Sequence, residues 1–135
     1  KNTEWGKKYD YASIQNFEQY RKKVPISSYE DFVPYISRMM KGEQNILWNT
    51  PIYWFSKSSG TTDARSKFIP VSRESLHTCH FRGGKDLIAL YIESRPNTKF
   101  MVGKGLGIGG TFQESPDTKG IFYGDVSAVI TQQLP

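Results

Sequence analysis

The sequence predicts an α/β fold with helices packed on a short mixed sheet, and three observations carry that expectation. Apolar residues recur at helical spacing in three stretches, within 14–24, 32–40 and 76–91. Short runs rich in aromatic and β-branched residues, at 52–56, 68–69, 99–102 and 121–123, are spaced between them. The chain has 135 residues, of which 37% are hydrophobic. That length fits one domain over 1–135, and a domain of this size buries roughly two-thirds of its unfolded-chain surface.

Residues 1 to 12 are polar with Trp5, Tyr9 and Tyr11, and read as an extended arm. Ser13 is suited to cap a helix from Ile14 to Lys23, whose apolar face of Ile14, Phe17, Tyr20 and Val24 is expected to pack into the core, with Pro25 following its end. Ser28-Tyr29-Glu30-Asp31 has the form of a capping box with aspartate in third place. It opens a second helix to about Lys41, with Phe32, Tyr35, Ile36, Met39 and Met40 as core stripe and Gly42 as terminator. Ile46-Leu47-Trp48 suits a short strand or a buried turn. Ser72 caps a long helix to about Glu93, with Leu76, Cys79, Leu87, Leu90 and Tyr91 at helical spacing. Gly83-Gly84 interrupts it, at a helix-propensity cost of about 2 kcal/mol for the pair, and suggests a close neighbour, a ligand or a kink. Val126 to Ile130 suits either a strand or a helix start.

The stretch around which the chain is organised runs from Tyr53 to Pro70. Aromatic Tyr53-Trp54-Phe55 suits a strand, as does Phe68-Ile69, which Pro70 is expected to stop. Between them lie ten residues, Ser58 to Lys67, with five hydroxyls, one glycine, Arg65 and Lys67. A hairpin brings those groups to one exposed tip, where amides and hydroxyls donate to phosphate oxygens and a lysine supplies a point charge. An ordinary Ser/Gly/Thr surface turn has the same composition, and the common nucleotide-loop spacing Gly-x-x-x-x-Gly-Lys-Ser/Thr is absent.

Charge and composition exclude several classes. Net charge is +5, but no basic run exceeds Arg21-Lys22-Lys23 and the aromatics are not interleaved with basic residues, which argues against nucleic acid. No apolar run approaches 18 residues, which argues against a membrane span, and no signal-peptide pattern opens the chain. Lys1 rather than methionine stands first, so the sequence reads as processed or cut from something longer. A single cysteine, Cys79, favours a reducing, cytoplasmic setting.

Three further motifs read as structural. Gly105-Leu106-Gly107-Ile108-Gly109-Gly110 satisfies the dinucleotide glycine pattern, with Asp125 twenty residues beyond Gly105. The pattern should open a helix, yet Thr111 to Asp117 has no helical stripe and contains Pro116, so a glycine-rich loop or bulged strand is expected. His77, Cys79 and His80 are the only Cys and His residues, too few for a zinc site without other ligands, so no metal centre is expected there. Arg82 and Lys85 on the same helix suit either contact with an anionic substrate or a solvated helix face, and the solvated face is the expected one.

Ser58-Ser59-Gly60-Thr61-Thr62, followed by Lys67-Phe68-Ile69-Pro70, resembles the phosphate-binding signature of the adenylate-forming enzymes, the superfamily of acyl-CoA synthetases and luciferases. It is most similar to one branch, the auxin-responsive acyl acid amido synthetases and their bacterial relatives. That branch sets the lysine one position later and follows it with two apolar residues and proline. Phe17 through Ile26, Tyr29-Glu30-Asp31, Gly42-Glu43, Arg82-Gly83-Gly84-Lys85-Asp86 and Gly124-Asp125-Val126-Ser127-Ala128 resemble it too, so the likeness spans almost the whole chain. Asp63 departs from it, standing where the general signature has glycine.

The resemblance implies a carboxylic acid activated by ATP with Mg2+, giving an acyl-adenylate whose acyl group passes to an amine, such as an amino acid, or to a thiol. It implies that Ser58, Ser59, Gly60, Thr61, Thr62 and Lys67 hold the β- and γ-phosphates, with Lys67 the catalytic cation. It further implies that the helix after the loop lines the acyl pocket, with Arg82 facing the substrate carboxylate. Members of the family are several times longer, so the chain is expected to be the partial N-terminal domain of such an enzyme, inactive alone and completed by the remainder of its parent. The alternative, from a different class, is a non-catalytic basic module that binds phosphorylated ligands or a protein partner.

Overall fold

The computed structural model describes residues 1–58, 66–100 and 102–133. Six α-helices, one π-helical segment and four strands follow one another among them. The sheet is mixed, as expected, with order β2-β1-β4-β3. β1 (Trp54–Lys57) pairs antiparallel with β2 (Phe68–Val71) and parallel with β4 (Phe122–Gly124), and β3 (Phe112–Glu114) closes the far side antiparallel to β4.

The first residues form a helix, α1 (Glu4–Lys8), rather than an extended arm. Five residues are too few to show a periodic stripe, so the sequence pattern is silent there. Thr3 caps it by accepting from the Gly6 amide at 3.0 Å. The amides of Glu4 and Trp5 donate to the carbonyls of Asn45 and Ile46 at 2.8 and 3.1 Å, so 46–48 is a bend and not a strand, buried at Ile46 and exposed at Trp48. Trp5 is buried against Tyr9, Phe32 and Tyr35. Glu4 clamps Arg38 in bidentate fashion at 2.8 and 2.9 Å, and Glu43 holds the same guanidinium at 2.7 Å.

That clamp sets a pH response. Hydrogen bonding to Arg38 is the largest cause holding the Glu4 carboxyl below the ordinary glutamate range. A depressed folded-state pKa stabilises fully above the unfolded value and is lost as pH falls through the folded one. Thermal melts of Glu4→Gln should therefore lie below those of the parent at pH 7. The two curves should converge as pH drops below the ordinary glutamate range; a gap that stays constant to pH 3 contradicts the ionic origin.

α2 (Phe17–Lys23) starts later than expected, because Ser13 is engaged by Asp10 while Asn16 Oδ1 accepts from the Gln19 amide at 3.0 Å. Its stripe is not core: no residue of α2 is buried, and Phe17 is 69% exposed. α3 (Tyr29–Met40) behaves as its sequence predicts. Asp31 accepts from the Ser28 amide at 2.7 Å, and Gly42, at φ +90°, ends the helix. The Gly42 and Glu43 amides return to the carbonyls of Met39 and Arg38, the paired bonds of a Schellman end. Pro34 stands inside the helix and withholds one amide from its ladder.

The core lies between α3 and the sheet: Ile36 and Met39 meet Ile46, Ile52, Phe55 and Ile121. Phe55 is fully buried, and side chains alternate along a strand, so Trp54 and Ser56 face the other side. On that side Trp54 stacks on Phe122 at 4.7 Å, and α6 (Val126–Gln132) lies against β1 and β4 with Ala128 and Val129 buried. The open alternative at 126–130 is thus resolved as a helix. β2 continues through Pro70 to Val71; as an edge strand it spares one N–H without losing a ladder bond.

The long helix after β2 is present but not uniform. Ser72 caps α4 (Arg73–Ser75), a π-helical segment follows at Leu76–Phe81, and α5 (Arg82–Ser94) completes it. The irregularity therefore precedes Gly83-Gly84 instead of coinciding with them. No described residue of 99–102 is in a strand; Val102 N–H turns back to the Lys99 carbonyl at 2.9 Å. β3 takes the place beside β4, where a short return through Thr118 and Gly120 brings it into register. Residues 105–110 form a loop, with no helix opening from it.

Candidate phosphate-binding hairpin

β1 and β2 form the expected hairpin, and its mouth is closed by two bonds. The Ser58 amide donates to the Lys67 carbonyl at 2.9 Å, and the Lys67 amide donates to Ser58 Oγ at 3.2 Å. Ser58 and Lys67 thus stand opposite each other where the loop leaves the sheet. Ser59, Gly60, Thr61 and Thr62, with residues 63 to 65, lie outside the described residues.

The mouth opens at the carboxyl ends of the parallel pair, since Ser56 is in register with Gly124. In open α/β sheets, ligands bind outside the carboxyl ends of parallel strands. Gly124-Asp125 ends the second of them. The Asp125 carboxylate accepts from the Thr111 amide at 3.0 Å and the Asp125 amide donates to the Thr111 carbonyl at 2.9 Å. Ser127 Oγ accepts from the Gly110 amide at 2.9 Å, so the glycine-rich loop is fastened to this edge as structure. A small cavity of about 140 Å³, lined by Lys57, Gln113, Gly124 and Asp125 among others, lies here.

The Lys67 side chain is 44% exposed, and its ammonium lies 4.0 Å from the Glu30 carboxylate and 5.0 Å from the centre of the Tyr29 ring. The Tyr29 hydroxyl accepts from the Phe68 amide at 2.8 Å and donates to the Phe68 carbonyl at 3.3 Å. The Glu30 carboxyl is held below the ordinary glutamate range, first by the amide at its own position and, among the lesser causes, by Lys67. A cavity of about 440 Å³ with Ile36, Met40 and Phe68 in its wall opens beside Lys67. Tyr29-Glu30 stand in the sequence as part of the capping box and of the family likeness; the contact of Tyr29 with Phe68 joins residues 39 apart, which no local pattern reveals.

Arg82 is not brought to the hairpin mouth by any described contact. Its side chain is 77% exposed and lies 3.9 Å from Asp86 one turn on, the solvated-face arrangement. His77 and His80 are exposed on the π-helical segment, His77 edge-on to Phe81, and Cys79 is exposed and free. Among the described residues no group of three His, Cys, Asp or Glu side chains is arranged to hold a metal ion. No helix among them is long and apolar enough to cross a membrane.

Around Gly83 and Gly84 the space is open: a Cβ built at either meets nothing within 4 Å among the described residues. Packing among the described residues requires neither glycine. Gly83→Ala and Gly84→Ala should each stabilise the chain by about 0.5–1 kcal/mol, read as a higher melting temperature. A drop in melting temperature would reveal an unseen close approach.

A family model described as the GH3 family N-terminal domain matches residues 1–134. The chain belongs to that family. Indole-3-acetic acid-amido synthetase GH3.2 of Arabidopsis thaliana is 37% identical over 76 residues, 56% of this chain and 14% of that protein. Indole-3-acetic acid-amido synthetase GH3.4 of the same plant is 29% identical over 114 residues, 72% of this chain and 19% of that protein. The solved GH3.15 acyl acid amido synthetase superposes with a TM-score of 0.74 at 21% identity, over 98% of this chain and 23% of that one. That likeness carries the fold, and it agrees with the α/β architecture read from the sequence. The chain spans a fifth or less of the length of these two plant relatives.

Proposed function

We propose that this chain is one domain contributing the phosphate-binding hairpin of an ATP-dependent acyl acid amido synthetase. The observation that carries the reading is the hairpin mouth, where Ser58 and Lys67 oppose each other at the carboxyl ends of the parallel β1–β4 pair. The named plant relatives are amido synthetases, which supports an amine, such as an amino acid, as acceptor in preference to a thiol.

The donor set fits a triphosphate. Lys67 offers a partly exposed cation, and Ser58, Ser59, Thr61 and Thr62 offer hydroxyls, with Gly60 allowing the backbone to approach phosphate oxygens. MgATP is a substrate here, its Mg2+ neutralising phosphate oxygens. In the first step a carboxylate oxygen of the acid bonds to the α-phosphorus while the bond from that phosphorus to the α–β bridging oxygen breaks. Pyrophosphate leaves with the electron pair. Lys67 and the loop hydroxyls hold the β- and γ-phosphates in line and offset the charge that grows on the leaving group. In the second step an amine nitrogen attacks the acyl carbon, loses a proton, and AMP departs. Arg82, its side chain 77% exposed, is available to a substrate carboxylate once Asp86 releases it, and among the described residues Gly83-Gly84 leave room beside it.

The test is ATP–pyrophosphate exchange by the full-length protein against a panel of carboxylic acids. Exchange that depends on the acid supports adenylation and names the acid class. Hydrolysis or binding of ATP without acid-dependent exchange contradicts it.

A further inference from the structure

Two consecutive residues of α3 act on two consecutive residues of the hairpin. Tyr29 takes both backbone groups of Phe68, and its ring lies beneath the Lys67 ammonium, which Glu30 also approaches. β2 is an edge strand, and backbone groups of successive residues point to alternate sides. Lys67 turns its amide and carbonyl toward Ser58, so Phe68 turns its own outward, where the phenol meets them. One hydroxyl serves both because it can donate and accept at once.

Resting on the phosphate-loop reading above, we propose that Tyr29 and Glu30 are positioning residues for Lys67. Tyr29 fixes the backbone from which Lys67 projects. Its ring and the Glu30 carboxylate give the ammonium a resting place that the incoming triphosphate takes over. The resting place is weak by construction: the ion pair spans 4.0 Å and the Glu30 side chain is 73% exposed. A pair of that kind adds little stability, so a polyanion displaces it readily.

The two residues therefore push nucleotide affinity in opposite directions. Calorimetric titration of the full-length protein with MgATP tests this without knowledge of the acid. Tyr29→Phe keeps the ring but frees the Phe68 backbone, and the dissociation constant should rise about tenfold. Glu30→Gln removes the competitor, and the constant should fall about two- to threefold, an effect that fades at high salt. Loss of folded protein lowers the number of sites and does not move affinity in opposite directions. Lys67→Ala separates the two layers. If it leaves MgATP affinity unchanged, or the unmodified protein binds no MgATP, the phosphate-loop reading falls and this proposal with it. If Lys67→Ala weakens binding while both other variants match the parent or shift together, the positioning proposal alone is overturned.

Discussion

Lys67→Ala in the full-length protein should cut acid-dependent ATP–pyrophosphate exchange by about 10²–10³-fold, the usual loss when one preorganised charge-stabilising group is removed. Its melting temperature should stay where it was. The stability half of that expectation follows from the surroundings of the side chain. It is 44% exposed, and its ion pair with Glu30 is long and open to solvent. Truncating such a group shifts stability by no more than about 0.5 kcal/mol. The bonds that close the hairpin use the Lys67 backbone and Ser58, so they survive the substitution. Lys67→Arg should rescue little, because a planar guanidinium presents its donors in a fixed fork where a compact ammonium is needed. Full exchange in Lys67→Ala would remove this residue from the mechanism and leave the hairpin as a surface turn.

How much of this was legible in the sequence depended on whether the signal was local. α3 was legible at every level, because its stripe, its Ser28–Asp31 cap and its Gly42 terminator all lie within fifteen residues. The hairpin was legible for the same reason, its aromatic strands bracketing a hydroxyl-rich loop. α1 was not, since its stability comes from contacts with the 45–46 turn and with Arg38, more than thirty residues away. The stripe of α2 was read as core and is open. Apolar spacing reports that a face wants a partner, not that one is present within these residues. Residues 99–102 had strand composition, but β4 accepts its second neighbour from 112–114, which a short turn delivers in register. At the hairpin, Ser58 and Lys67 face each other where the loop leaves the sheet. The Tyr29 anchor went unseen because it links α3 to β2 through tertiary packing alone.

Gly124→Ala should be the most damaging of the glycine substitutions, and its reason differs from that of any helix glycine. Gly124 lies in β4 opposite Phe112, and its backbone needs no positive φ. What it needs is space. A Cβ there would fall well inside van der Waals contact of the Thr111 carbonyl oxygen and of Phe112 Cα. These are backbone atoms, so no rotamer change relieves the clash. β3 must move, yet Thr111 is tied to Asp125 by two hydrogen bonds that would stretch as it does. Overpacking of this kind costs about 1–3 kcal/mol, and each bond lost adds about 1 kcal/mol. At roughly 4 °C per kcal/mol for a chain of this size, the melting temperature should fall by about 4–12 °C from overpacking alone. Gly83→Ala and Gly84→Ala, measured beside it, should move the other way, since none of the described residues stands in their space. The contrast carries a consequence for the site. Gly124 ends the strand beside Ser56, so displacing β3 also disturbs the edge from which Ser58 and the loop emerge. Gly124→Ala should therefore weaken MgATP binding in proportion to its loss of stability, whereas Lys67→Ala should weaken it with none. An unchanged melting temperature in Gly124→Ala would mean that β3 is held far more loosely against β4 than the Thr111–Asp125 bonds imply.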